Sequence, residues 1–137
     1  MVQNFQLPTI RAAIELHKRQ PARAIEILQP ALPYDFAFPA DSFEMLYPAY
    51  LRGLAYLELS RGREAAAEFQ KMVDHPAITD DFITAPLSHL QLARAQAMMG
   101  DRAAARKSYQ EFLTLWKDAD PDIPIYRQAK VEYAKLQ

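Results

Sequence analysis

Apolar side chains recur at every third or fourth position over most of this chain, which is the spacing of one face of an α-helix. Short polar and proline-bearing stretches interrupt the pattern and mark the ends of the helices. We therefore predict an all-α fold of about seven helices, at residues 8–19, 21–31, 48–60, 63–74, 85–99, 102–117 and 121–136.

Two small residues lie where the third and fourth predicted helices would cross. Gly53 and Ala65 leave room for the close approach of two helix backbones. Phe69 lies four residues after Ala65, hence on the same helix face, and can fill the space beside Gly53. Tyr56, three residues after Gly53, is expected to close the other side of the crossing. These positions predict a helical hairpin held together by small and aromatic residues.

The same arrangement recurs before and after this hairpin. Forty residues downstream, Ala93, Ala105, Tyr109 and Phe112 match Gly53, Ala65, Phe69 and Met72, in that order. Forty-one residues upstream, Ala12, Ala24, Leu28 and Ala31 match the same four residues. The chain is therefore predicted to be one domain, 1–137, with helix pairs at about 8–31, 48–74 and 85–117. The helix at about 121–136 has a polar outer side and is expected to cap the stack.

Specific residues are predicted to end and begin these helices. Gly62 and Gly100 suit the left-handed backbone that often ends a helix. Asp101 and Thr84 suit the first position of the helices that follow them, because their side chains can accept a hydrogen bond from the helix start. The aromatic connection 33–46, which carries Tyr34, Phe36, Phe38 and Phe43, is expected to fold back onto the helices.

The order of Gly53, Tyr56, Ala65, Phe69 and Pro76 resembles the signature of the tetratricopeptide repeat, although Arg52 stands where that signature has leucine. The chain from 8 to 137, most clearly from 48 onward, closely resembles the C-terminal tetratricopeptide region of large serine/threonine protein kinases of acidobacteria. The resemblance implies a right-handed superhelix and a non-catalytic region of a signalling protein. The sequence contains no kinase motif, so any kinase activity would lie in a part of a longer parent protein.

Composition and charge narrow the classes of function. Lys and Arg total 16 against 17 Asp and Glu, for a net charge of −1, so the chain lacks the basic field of a nucleic-acid-binding protein. It contains no cysteine and no apolar run long enough to span a membrane. The three histidines, His17, His75 and His89, lie on different segments. We expect no catalytic site, metal or cofactor, and a cytoplasmic location unless a parent segment places the domain elsewhere.

In tetratricopeptide repeats the first helix of each pair lines a concave face that binds protein segments. The resemblance places the following residues on this face: Thr9, Ala13, His17, Tyr47, Tyr50, Leu54, Glu58, Leu87, Leu90, Arg94 and Met98. The middle of this set is apolar and aromatic, which favours an apolar or amphipathic segment of a protein partner. We expect Tyr50 and Arg94 to anchor that partner while contributing little to stability.

Two alternatives stay open on the sequence alone. The connection 33–46 could itself fill the concave face. The domain could also be a helical regulatory domain that senses a small ligand in a pocket beneath that connection. A closed pocket with convergent polar groups would favour the ligand sensor, whereas an open apolar groove would favour the protein-interaction module.

Overall fold

The computed structural model describes residues 2–37, 45–79 and 81–137. Over these residues the chain is all-α and contains no strand. The helices are α1 (Leu7–His17), α2 (Pro21–Leu28), α3 (Tyr47–Glu58), α4 (Gly62–Val73), α5 (Pro76–Thr79), α6 (Thr84–Met98), α7 (Arg102–Leu115) and α8 (Pro124–Ala134). One π-helical turn, Val2–Gln6, precedes α1, and a 3₁₀ helix, Gln29–Tyr34, follows α2. The predicted helices are confirmed within a few residues at their ends, and α5 is an addition.

The helices pack in chain order. Each hairpin, α1–α2, α3–α4 and α6–α7, packs against the next through its second helix, so that α2 contacts α3 and α4 contacts α6. Helix α8 packs on α7 and closes the far end. The result is a repeat-like stack, because each unit covers the apolar side of its neighbour.

The small residues of the predicted crossings are buried. Ala12, Ala24, Ala65, Ala93 and Ala105 have no exposed surface, and they belong to three neighbouring hydrophobic clusters. The predicted aromatic partners Phe69 and Tyr109 are also buried. Tyr56 is half-buried and carries the guanidinium of Arg61 over its ring, 5.0 Å from the centroid.

The turn within each hairpin has the same backbone geometry. The left-handed residue is Arg19 in the first hairpin, Ser60 in the second and Gly100 in the third. In each case the next N–H bonds to the carbonyl five residues earlier, which is the Schellman ending of a helix. These three residues are separated by the same shifts of forty-one and forty as the small residues, which confirms the internal repeat from the backbone.

Two of the predicted helix-end residues have other roles. Gly62 is the first residue of α4 rather than the left-handed residue of the turn. A Cβ there would lie 3.0 Å from the carbonyl oxygen of Ala95, so α4 and α6 approach closely at this glycine. Thr84 does not cap α6, since its hydroxyl oxygen is buried without a hydrogen-bond partner within the described ranges. The cap by Asp101 is confirmed, because its carboxylate accepts a hydrogen bond from the backbone N–H of Ala104 at 3.1 Å.

The beginning of the aromatic connection folds back as expected. The Tyr34 ring meets Phe5 edge-on at 6.5 Å, and the Phe36 ring lies 4.8 Å from the ring of His75 at the end of α4. Between them, Asp35 is buried. Phe38 and Phe43 lie outside the described residues, so whether this connection fills the concave face stays untested.

Candidate functional site: the groove between α1 and α3

An apolar groove of about 450 Å³ runs between α1 and α3 and is open to solvent. Its lining consists of Thr9, Ile10, Ala13, Ile14, His17 and Tyr47. Helix α1 buries Ala12 and Leu16 in a hydrophobic cluster with Ala24 and Leu28 of α2, which leaves this neighbouring face directed away from α2. Four of the lining residues, Thr9, Ala13, His17 and Tyr47, were assigned to the concave face from the sequence, and the structure brings them together.

The polar groups at and near the groove are few. The hydroxyl of Thr9 donates to the carbonyl oxygen of Phe5. The ring of Tyr47 stacks on that of Tyr50, with centroids 6.4 Å apart and planes 16° apart. The side chain of Arg19 lies 3.6 Å from the carboxylate of Glu58, which links the C-terminal ends of α1 and α3. A mostly apolar lining suits the apolar side of a protein segment.

Two residues assigned to the concave face belong instead to the core. Tyr50 is 7% exposed and its ring meets Phe69 edge-on at 5.6 Å, while Leu90 is fully buried. The reason is helical geometry: each lies three residues before the small residue of its crossing, hence on the same face of the helix. The expectation that Tyr50 contributes little to stability is therefore wrong.

Arg94 is held within the chain. Its guanidinium makes two hydrogen bonds of 3.0 Å to the carboxylate of Glu132 on α8 and one of 3.3 Å to Gln91. The hydroxyl of Tyr109 donates to the same carboxylate at 2.8 Å. Burial, together with this hydrogen bond and the negative charge of Glu132, raises the pKa of Tyr109 well above its ordinary value. Arg94 therefore ties α6 to the capping helix, and its role as an anchor for a partner stays a prediction.

The remaining predicted residues are partly accessible. Leu54 packs against both the hydrophobic cluster that holds Ala24 and the one that holds Phe69. Leu87 packs against both the cluster that holds Phe69 and the one that holds Tyr109. Met98 is exposed at the end of α6 and Glu58 at the end of α3. Their part in binding stays a prediction.

A buried ionic cluster joins the 3₁₀ segment to α3 and α4, and the sequence analysis missed it. Arg52 is 1% exposed and donates to the carboxylates of Asp35, at 2.5 Å, and Glu68, at 3.0 Å. The ammonium group of Lys71 lies 3.0 Å from each of the same carboxylates. Desolvation by burial would lower the pKa of Arg52, but the hydrogen bonds and charges of Glu68 and Asp35 outweigh it and raise the pKa.

The sequence held one signal of this cluster, which is an arginine in an apolar helix at a position where the repeat signature has leucine. Its partners could not be found from the sequence, because Asp35 precedes Arg52 by a long connection. The cluster joins Asp35, directly after Gln29–Tyr34, to the second hairpin. Arg52 is enclosed, and we assign the cluster a structural role.

Other chemistry is sparse in the part of the chain that the structure describes. No three His, Cys, Asp or Glu side chains there are placed to hold a metal ion. His89 lies 3.1 Å from Glu111 beside a shallow groove on α6 and α7 that Lys107 also lines. Among these residues, no helix combines the length and the apolar character that a membrane span requires.

Comparison of the sequence with known families and curated proteins, and of the fold with solved structures, gave no significant match.

Proposed function

We propose that this domain is a protein-interaction module that binds an apolar or amphipathic segment of a partner protein in the groove between α1 and α3. The observation that carries the proposal is the groove itself, an open apolar surface with Ile10 59% exposed and Ile14 48% exposed. Exposed apolar surface of this kind commonly marks a site of protein association. An open groove favours this role over the small-ligand sensor, because small ligands bind in clefts that enclose most of their surface.

The wider role in this proposal is that of a scaffold or sensor region of a bacterial signalling protein, such as a serine/threonine kinase, in the cytoplasm. It is supported by the sequence resemblance and by the stacking of three hairpins with equivalent turns at Arg19, Ser60 and Gly100. Stacks of this type present extended surfaces to partners and need no catalytic group of their own.

A cross-linking experiment tests the proposed function. A photoreactive amino acid at Ala13, inside the groove, should capture a protein from native lysate that the same group at Ile83 does not capture. Ile83 is a suitable control because it is exposed and lies outside this groove. Mass spectrometry would identify the captured protein, which would then be purified.

Titration with the purified partner gives the decisive measurement. Ala13→Glu places a charge in the apolar groove and should weaken binding at least about tenfold, while Ile83→Gln should bind like the unaltered chain. Thermal melts of both variants would establish that they are folded. Equal affinity of the three proteins would overturn the groove as the binding site.

A further inference from the structure

The first helices of the three hairpins, α1, α3 and α6, have equivalent rows of three residues on one face. The rows on α3 and α6 are buried against another helix, whereas the row on α1 is exposed. The row consists of Leu7, Ile10 and Ile14 on α1. The repeat shifts match it to Pro48, Leu51 and Ala55 on α3, and to Ser88, Gln91 and Ala95 on α6. The left-handed residues Arg19, Ser60 and Gly100 obey the same shifts, so the matched positions are structurally equivalent.

On α3 and α6 this row is covered by the second helix of the preceding hairpin. Leu51 and Ala55 lie in one cluster with Ala24 and Leu28 of α2. On α6, the hydroxyl of Ser88 lies 3.4 Å from the sulfur of Met72 in α4. A Cβ on Gly62 of α4 would lie 3.0 Å from the carbonyl oxygen of Ala95. All six residues of the two rows are buried. The row is therefore a packing surface for a helix with small and medium apolar side chains.

On α1 the equivalent row has no such cover. Leu7 is 38% exposed, Ile10 59% and Ile14 48%. The spacing of three and then four residues places them in one stripe along the helix, like the seam of a coiled coil. Ile10 and Ile14 also line the groove between α1 and α3, so the stripe and the groove form one continuous apolar surface.

Charge beside the stripe indicates which helix would cover it. Two charged residues directly follow residues of the stripe. Glu15, after Ile14, is paired with Lys18 at 3.1 Å, whereas Arg11, after Ile10, is exposed and forms no ion pair with another described residue. A second copy of the chain is disfavoured, because α8 carries Arg127 and Lys130 on its exposed side and Lys135 follows at its C-terminal end. Stacking α8 of one copy on α1 of another would bring like charges together. Acidic residues beside an apolar helix face would instead complement Arg11.

We propose that the stripe Leu7–Ile10–Ile14 binds an amphipathic helix of a partner protein that has small and aliphatic residues on one face and acidic residues beside them. The partner helix packs on α1 as α2 packs on α3 and as α4 packs on α6. This inference rests on the proposed function, since it names the kind of segment that the interaction module binds.

A peptide-display selection tests it. The library would hold helix-forming peptides of about 18 residues, with Ala, Leu, Ile and Met varied on one face and Glu, Lys and Gln varied beside that face. Peptides selected on the intact domain should carry Glu at the flanking positions. Their affinity, measured by fluorescence anisotropy, should fall at least about tenfold for the double variant Leu7→Gln, Ile14→Gln. Circular dichroism should show helix formation on binding.

Two further variants test the charge preference and control for the loss of exposed apolar surface. Arg11→Glu leaves the apolar stripe intact and should reverse the preference from Glu-flanked to Lys-flanked peptides. The matched control Ile83→Gln, Val131→Gln replaces two exposed apolar residues elsewhere and should leave affinity unchanged. Thermal melts would show that all variants are folded.

Several outcomes would overturn the inference. They are a selection with no enriched peptide, enrichment of Lys-flanked or non-helical peptides, and binding that survives the stripe variant. A concentration-dependent dimer abolished by the stripe variant would assign the surface to a second copy. If the binding of peptides depends on Ala13 but not on Leu7 or Arg11, this inference is wrong and the proposed function is retained. A cross-linking experiment that captures no partner would count against the proposed function itself.

Discussion

The ring of Phe69 occupies the space into which a side chain at Gly53 would project. A Cβ built on Gly53 would lie 2.5, 2.6 and 2.9 Å from three carbons of that ring. Such separations are far inside van der Waals contact, so glycine and phenylalanine at these positions depend on each other. Each lies on a different helix of the central hairpin, and their contact sets how closely α3 and α4 approach.

Gly53→Ala should destabilise the domain by about 1–3 kcal/mol. Alanine is the better helix former by about 1 kcal/mol, but its methyl group would overlap the ring of Phe69, which is fully buried in the core. Urea unfolding would measure the change. The double variant Gly53→Ala, Phe69→Leu should lose less than the sum of the two single changes, because leucine relieves the overlap. An alanine variant as stable as the unaltered protein would contradict the packing.

Arg52→Met should reduce the free energy of unfolding by about 3–5 kcal/mol, because it leaves the buried carboxylates of Asp35 and Glu68 with the half-buried Lys71 as their one cationic partner among the described residues. Arg23→Met is the matched control, since Arg23 pairs with Glu26 on the surface of α2. Arg23→Met should reduce the free energy of unfolding by about 0–1 kcal/mol. Chemical denaturation of both variants would measure their free energies of unfolding. Equal effects would show that the ionic cluster contributes no more than a surface pair.

Tyr50→Ala should destabilise the domain by about 3–5 kcal/mol, as expected for removal of a buried aromatic ring. The ring lies against Phe69 in the central cluster. Ile14→Ala is the control, because that side chain is half-exposed on α1 and should change stability by about 0.5 kcal/mol or less. Calorimetric melts that ranked the two variants in the opposite order would contradict the assignment of Tyr50 to the core.

Stability should fall as the pH rises above about 10, the ordinary pKa of tyrosine, in a way that depends on Tyr109. The pKa of Tyr109 is raised in the folded protein, so the unfolded chain loses this proton first. Unfolding is then favoured increasingly until the folded pKa is reached. Tyr109→Phe should reduce the slope of unfolding free energy against pH between about 10 and 11.5. Tyr34→Phe, which removes only an exposed hydroxyl, is the control. Equal slopes in all three proteins would contradict the prediction.

Much of the fold could be predicted from the sequence because its determinants are local. Helix positions follow from apolar spacing, and the hairpin crossings follow from small residues repeated at shifts of forty and forty-one. Gly100 and Asp101 define their turn through their own backbone and side-chain chemistry. In the turns at Arg19 and Ser60, however, residues with side chains adopt the left-handed conformation. There the surrounding helices impose the geometry that glycine adopts without strain.

The candidate site depended on the tertiary structure. The sequence placed Thr9, Ala13, His17 and Tyr47 on one face, but it also placed Tyr50 and Arg94 there. Tyr50 is buried because its helix face meets Phe69, and Arg94 is engaged because α8 brings Glu132 within 3.0 Å. Neither contact can be predicted from the spacing of apolar residues in the sequence, because each joins residues from separate elements of the chain.

The sequence by itself determined the helices, their pairing and the residues at which they cross, because these features repeat and act over short distances along the chain. Only the tertiary structure decided which apolar residues are covered. Leu51 and Ile10 occupy equivalent positions, yet Leu51 is covered by α2 and Ile10 is 59% exposed. The difference arises because burial depends on the neighbouring hairpin, and α1 has no hairpin before it among the described residues.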